Sequence, residues 1–197
     1  YALEVLRGAI VAGPWVRLAG DRHLKDLEAG AFTWDLEAAK RNIRFFPAVL
    51  RLNGGEFENA PFELSLWQQF CIGSIYGWKR ADGLRRFRTA YLEIGKGNGK
   101  TPMAAGVGHL MLVADDEPRA EVYAAASKKE QAQIMFSDAV IMRDQSPALC
   151  RRLQPSGKPP LTWNLLDTKT GSFFRPISSD RKKSGARSEE HTSELQS

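Results

Sequence analysis

The stretch Tyr91 to Pro102, YLEIGKGNGKTP, decides how the rest of the chain is read. It closes on Gly99-Lys100-Thr101, the end of the phosphate-loop pattern G-x-x-x-x-G-K-[ST]. That pattern wants a glycine where Ile94 stands; the first loop glycine comes one place late, at Gly95. A phosphate cradle turns several backbone N–H groups onto the same oxygens, and side chains would block that approach. Gly95, Gly97 and Gly99 alternate along the stretch as such a cradle requires. Thr89 to Ile94 is expected as a short buried strand entering the loop. Thr101 to Ala114 is expected as an apolar helix leaving it, with Pro102 in the first turn, where a missing N–H costs little. The helix N-terminus adds free N–H groups and a dipole that favour an anion.

On this reading the loop holds ATP. Lys100 reaches the β- and γ-phosphates, the Thr101 hydroxyl ligates Mg²⁺, and Lys96 is a second cation able to meet the γ-phosphate as charge shifts during transfer. The candidate nucleotide-binding residues are Gly95, Lys96, Gly97, Asn98, Gly99, Lys100 and Thr101, with Lys100 and Lys96 as candidate catalytic cations and Thr101 as the metal ligand. The alternative is a glycine-rich structural turn between a strand and a helix.

Downstream, Glu121 to Ala126 (EVYAAA) reads as a second strand, and Ser127-Lys-Lys-Glu130 as a capping box. The helix it opens carries Ala132, Met135, Phe136, Ala139 and Val140 on one face. Strand, loop, helix, strand, helix is the start of an α/β sheet. PSGKPP, Pro155 to Pro160, reads as a linker, and LTWNLL…GSFFRPI as a hairpin around Thr168 to Gly171. Upstream, the first sixty residues read as short helices broken by Gly and Pro. Thr33 is placed to cap a helix from Trp34 that carries Leu36, Ala39, Ile43 and Phe46 at helical spacing, with Pro47 following. Pro61 to Trp78 reads as an amphipathic helix with Leu64, Trp67, Cys71, Ile75 and Trp78 on one stripe.

Composition sets wide bounds. The 197 residues suffice for one domain with a real core or two small ones, and 43% hydrophobic with 26% charged residues is ordinary for a globular protein. No apolar run approaches the roughly 18 residues of a membrane span. The N-terminus has no basic lead or clear cleavage site, so no signal peptide is read there. The chain opens on Tyr1, and its true start is expected to lie upstream. Two distant cysteines, Cys71 and Cys150, suggest neither a disulfide framework nor a zinc site, and a reducing cytosol is the default. The net charge of +5 and pI of about 9.3 fit a nucleic-acid partner or a merely basic, solvated surface.

Several segments together resemble the large terminase subunit of tailed bacteriophages, an ATP-driven DNA-packaging motor. The loop GKGNGKT, without the first glycine and with a basic residue inside, is similar to that family's. So are RHLKDL, FPAVLRLNGGEF, PFELSLWQQF, GWKRADGLRRFRTAYLE, AEVYAAASKKEQAQIMF and the SPAL at Ser146 to Leu149. The resemblance covers most of residues 1–186. It implies a partial P-loop NTPase sheet of the ASCE-like kind, flanked by helices and preceded by a helical region: residues 1–60 helical, 61–186 the ATPase core. It also implies that Gln68 reads the adenine edge; on the residues alone, Gln68 is a solvent-facing neighbour of a buried Trp67. Arg85, Arg86 and Arg88 suit either DNA phosphates or a solvated edge. His23, without a His or Cys at metal spacing, is expected to be structural, and Gln131 carries no assignable chemistry.

Such an ATPase also needs an apolar strand ending in Asp-Glu, to orient Mg²⁺ and activate water. It is expected shortly after FFRPISSDRKKSGAR, where the sequence instead reads RSEEHTSELQS, Arg187 to Ser197. That tail resembles the translation of a sequencing-adapter read-through and is expected to be non-native; a genuine polar tail is the alternative. The parent protein is expected to hydrolyse ATP, to drive double-stranded DNA into a procapsid and to cut it with a nuclease domain. This chain alone is expected to bind nucleotide weakly and turn it over little. By resemblance, the partners are a portal protein, a small terminase subunit and further copies in a ring, in the bacterial host cytoplasm and transiently at the procapsid portal, with no membrane. Two other readings remain: a helicase-like translocase, and a non-enzymatic α/β module whose glycine loop is structural.

Overall fold

The computed structural model describes residues 1–158 and 161–178. In chain order the elements are α1 (Ala2–Leu6), α2 (Pro14–Ala29), β1 (Thr33–Trp34), α3 (Leu36–Val49), a 3-10 turn at Gly55–Phe57, α4 (Leu66–Gly77) and β2 (Trp78–Lys79). Then come α5 (Lys100–Val113), β3 (Glu121–Ala126), α6 (Lys129–Asp144), α7 (Pro147–Arg152), β4 (Leu153–Ser156), β5 (Asn164–Asp167) and β6 (Phe173–Ser178).

The main sheet has four strands in the order β3-β6-β5-β4. β3 and β6 run parallel, with Val122 opposite Phe174, while β5 is antiparallel to both β6 and β4. The expected strand over Glu121 to Ala126 and the hairpin around Thr168 to Gly171 are both formed. Two residues of the expected linker, Pro155 and Ser156, instead complete β4. β4 is an edge strand, where a proline without an N–H is tolerated. Both α5 and α6 pack on β3 and β6, burying Val122, Ala124 and Phe174.

α5 lies at the centre and is buried at Met103, Ala105, Gly106, Gly108, His109, Leu110 and Leu112. Its glycines permit close approach on two sides. A Cβ on Gly106 would come within 2.6 Å of Phe46 of α3, and one on Gly108 within 2.4 Å of Phe174 of β6. His109 bonds through Nε2 to the Ala139 carbonyl of α6 at 2.7 Å. One core therefore runs from Phe46 and Leu50 through α5 to Phe136, Leu165 and Phe174.

Four local expectations are corrected. Thr33 lies in β1, and the cap of α3 is Asp35, whose carboxylate accepts from the Ala38 N–H at 2.8 Å. Pro47 sits inside α3 rather than after it. The helix expected from Pro61 to Trp78 is α4, Leu66–Gly77, whose buried face carries Gln68, Ile72 and Tyr76; of the expected stripe, Leu64 and Trp78 are buried but lie outside the helix, and Trp67, Cys71 and Ile75 are only half-buried against the core, so the helix is turned by about one residue, roughly 100°. The N-cap expected at Ser127 falls one residue later, at Lys128, whose side chain makes no cap bond.

A fifth correction concerns the loop itself. Thr89 to Ile94 forms no strand, and Tyr91 is 85% exposed. An apolar run becomes a buried strand only where a ladder takes its N–H and C=O groups; among the described residues no strand pairs with it. The adapter-like tail and the place expected for the acidic strand lie outside the described residues.

Candidate nucleotide site

Gly95 to Lys100 is exposed, and Thr101, in the first turn of α5, is half-buried. Gly97 and Gly99 take left-handed backbone angles, with φ of 83° and 71°, which a residue bearing a Cβ rarely adopts. Gly99 is the N-cap of α5, and its carbonyl accepts the Met103 N–H at 3.1 Å. The Asn98 side chain is turned inward: Nδ2 donates to the carbonyls of Gly95 and Lys96, each at 3.4 Å. Lys100 extends its ammonium back over the loop to the Ile94 carbonyl at 3.5 Å. The loop is thus stapled by its own side chains and mounted on a helix that the core holds on two sides. It gathers two cations, Lys96 and Lys100, at a helix N-terminus, where an anion is favoured.

Gln68 reaches this loop from the first turn of α4. It is only 6% exposed, which removes the solvent-facing reading. Its Oε1 accepts from the Ser65 N–H at 2.9 Å and from the Ser65 hydroxyl at 3.1 Å. This fixes the amide's orientation, because a reversed side chain would set NH₂ against N–H. Its Nε2 faces the loop, where a Cβ on Gly99 would lie 3.6 Å away. Distant in sequence, Gln68 and Gly99 are neighbours in space. Ser65-x-x-Gln68 has the spacing of a capping box, a signal in the sequence that marks the start of α4.

The basic segment before the loop is tied up in structure. Arg85 pairs with Asp115 at 2.6 Å and lies over Tyr76. Arg86 pairs with Asp26 and stacks on Phe32 at 3.8 Å. Neither is a free cation for a phosphate backbone, whereas Arg88 is exposed. His23 is a packing residue: its Nδ1 accepts the Trp78 indole N–H at 3.1 Å, and its ring meets Trp34, Phe70 and Trp78 edge-on.

One apolar run in the sequence does end in Asp-Glu: Leu110 to Glu117, LMLVADDE. It is not a strand. Leu110 to Val113 are the last turn of α5, about 20 Å from the loop by helical rise, and Asp115 is held by Arg85. Burial raises the Asp115 carboxyl above its usual range, and Arg85 opposes that rise.

A glycine loop at the head of a buried helix, beside a partly parallel sheet, is the arrangement of phosphate-loop α/β domains. Residues 66–186 match the family described as the ATPase domain of the terminase large subunit. This chain belongs to that family, and the resemblance and fold class expected from the sequence are borne out. Among solved structures, the chain is similar to the crystal structure of the HK97 bacteriophage large terminase, at 23% sequence identity and a TM-score of 0.60. That similarity covers 73% of this chain and 28% of the terminase, so the chain spans about 28% of the length of that relative. No curated protein matches the chain.

Proposed function

We propose that Gly95 to Thr101 binds the phosphates of Mg²⁺–ATP, and that the chain contributes the nucleotide-binding part of a motor that drives double-stranded DNA into a procapsid. The observation that carries this is the loop's mounting: left-handed glycines at the head of α5, two lysines, and Gln68 against Gly99. Lys100 exchanges the Ile94 carbonyl for β- and γ-phosphate oxygens, a stronger, charge-assisted pairing. Thr101 offers its hydroxyl to Mg²⁺, Lys96 meets the γ-phosphate, and Gln68 offers its amide N–H to the base. Family membership supports the wider reading, in which the intact protein works as a ring with a portal protein and a small terminase subunit in the host cytoplasm.

Hydrolysis by this chain alone is slow on this account. The chemistry needs a carboxylate beside the γ-phosphate to activate water, and the one Asp-Glu pair that closes an apolar run sits at the far end of α5. The test is calorimetric titration of the 197-residue protein with Mg²⁺–ATPγS. Lys100→Ala weakens binding by about 10- to 100-fold, the scale of one charge-assisted hydrogen bond, and chelating Mg²⁺ weakens it further. Binding indifferent to both changes would favour a structural loop. Brisk ATP turnover by the parent chain, lost in Lys100→Ala, would contradict the incomplete site.

A further inference from the structure

Helices α5 and α6 both pack on the face of the sheet that carries Val122, Ala124 and Phe174. Side chains alternate across a strand, so Tyr123 and Ala125 of β3 and Phe173, Arg175 and Ile177 of β6 fall on the other face. That face is open: Tyr123 and Ile177 are each 45% exposed, and Trp163, the residue before β5, is 53% exposed. Its groups are ordered on one another. Tyr123 meets Phe173 edge-on, with ring centroids 5.6 Å apart. The Arg175 guanidinium lies 3.9 Å from the centre of the Phe173 ring and 5.6 Å from that of Trp163. Its Nε donates to Asn164 Oδ1 at 2.9 Å, which fixes its plane. Glu121, the carboxylate on this face at the start of β3, accepts from the Tyr123 hydroxyl at 2.8 Å and ties down the end of that ring. Three aromatic rings and a planar cation thus form one band across β3, β6 and the entry to β5.

The chemistry of this band narrows its partner. Arg175 forms no ion pair among the described residues, so a second sheet or an apolar helix laid on this face would bury an uncompensated charge. Unstacked nucleic-acid bases bring flat faces to the rings and phosphates to the cation. Arg119 and Lys169, both exposed, add positive charge at the hairpin end of the same sheet, where the Arg119 N–H donates to the Thr170 carbonyl at 3.3 Å. A duplex keeps its bases stacked on one another and has no base face to offer the rings. We propose that the open face of the sheet is a stacking platform for single-stranded nucleic acid, with bases on Trp163 and Tyr123 and a phosphate on Arg175. The platform lies on the side of the sheet away from α5, and it does not depend on the phosphate loop's binding ATP.

The test is fluorescence anisotropy of the 197-residue protein with a fluorescein-labelled oligothymidylate, and with a duplex of the same length. The single strand is expected to bind about 10-fold or more tightly than the duplex. Trp163→Ala and Tyr123→Leu each weaken that binding by about 5- to 100-fold, the worth of one base stacked on a ring. Trp163→Phe and Tyr123→Phe keep a ring and hold the affinity within about threefold. Arg175→Gln weakens binding and lessens its salt dependence. Excess Mg²⁺–ATPγS leaves the oligonucleotide in place. Failure to bind the single strand, equal affinity for strand and duplex, or an affinity unmoved in both Trp163→Ala and Tyr123→Leu overturns the platform and leaves a merely basic surface. Displacement by Mg²⁺–ATPγS overturns it too, by putting the strand in the phosphate loop. A dimer that binds no oligonucleotide and that Trp163→Ala dissociates overturns it in favour of self-association through this face.

Discussion

Lys100 rests its ammonium on a neutral carbonyl, that of Ile94, and Gly99 holds a φ of 71° that only glycine adopts freely. Under the proposed function, these two residues serve phosphate binding in different ways. In Gly99→Ala the new Cβ meets Gln68 Nε2 at 3.6 Å, an ordinary contact, so the cost is backbone strain of about 1–2 kcal/mol. That strain falls on an exposed loop, so nucleotide affinity is expected to drop about 10-fold or more while the melting temperature moves by no more than a few degrees; a collapse in stability with affinity intact would contradict this. His109 is a different case. Burial lowers its pKa to about 4, against the opposing hydrogen bond to Ala139. A folded-state pKa below the unfolded value means that the unfolded chain takes up the proton first, so stability is complete above about pH 6.5 and is lost as pH falls toward 4. The loss from this residue is on the order of 3 kcal/mol at pH 4. His109→Gln is expected to flatten the stability-against-pH curve in that window, read by urea denaturation. Some slope remains from His23, whose pKa burial also lowers. An unchanged slope in His109→Gln would mean that the ring is not buried neutral.

Between elements, the contacts that count are those of α5 with α3 and β6, and those of the segment before the loop. Gly108→Ala would press a methyl into the Phe174 ring at 2.4 Å. Overpacking of that kind costs about 1–3 kcal/mol, so thermal stability is expected to fall with the loop's sequence intact. Arg86→Ala removes the ion pair with Asp26 and the stacking on Phe32. It is expected to lower stability by about 1–3 kcal/mol, read by urea denaturation; an unchanged midpoint would mean that neither contact holds the segment before the loop. The elements also mark what could be read from sequence. Strand β3, helix α5 and the β5–β6 hairpin were legible because their apolar period and turn residues agree. The face of α4 was not: its residues are apolar nearly all round, so periodicity selects no stripe, and the Ser65–Gln68 box that fixes the N-terminus was the better signal. The strand before the loop was misread because an apolar run says nothing about whether a ladder partner stands beside it. The loop residues stood out in sequence, whereas the approach of Gln68 to Gly99 is tertiary and came to attention only by resemblance.

At the scale of the molecule, α3 is not an appendage to the sheet. Phe46 and Leu50 belong to the same core as Leu110, Phe136 and Phe174, with α5 between them. A single cooperative unfolding transition is expected by circular dichroism and tryptophan fluorescence together. Asp35→Ala, which strips the cap of α3, should move that whole transition by about 1 kcal/mol; two separable transitions would mean that α3 folds apart from the sheet. Under the proposed function, this shared core holds a phosphate cradle at one end of α5. That claim is tested most directly by amide NMR of the 197-residue protein titrated with Mg²⁺–ATPγS. Large, saturable shifts of the Gly95, Gly97, Gly99, Lys100 and Thr101 N–H signals are expected, and their absence in Lys100→Ala. Shifts scattered over the surface, with those amides unmoved, would contradict it.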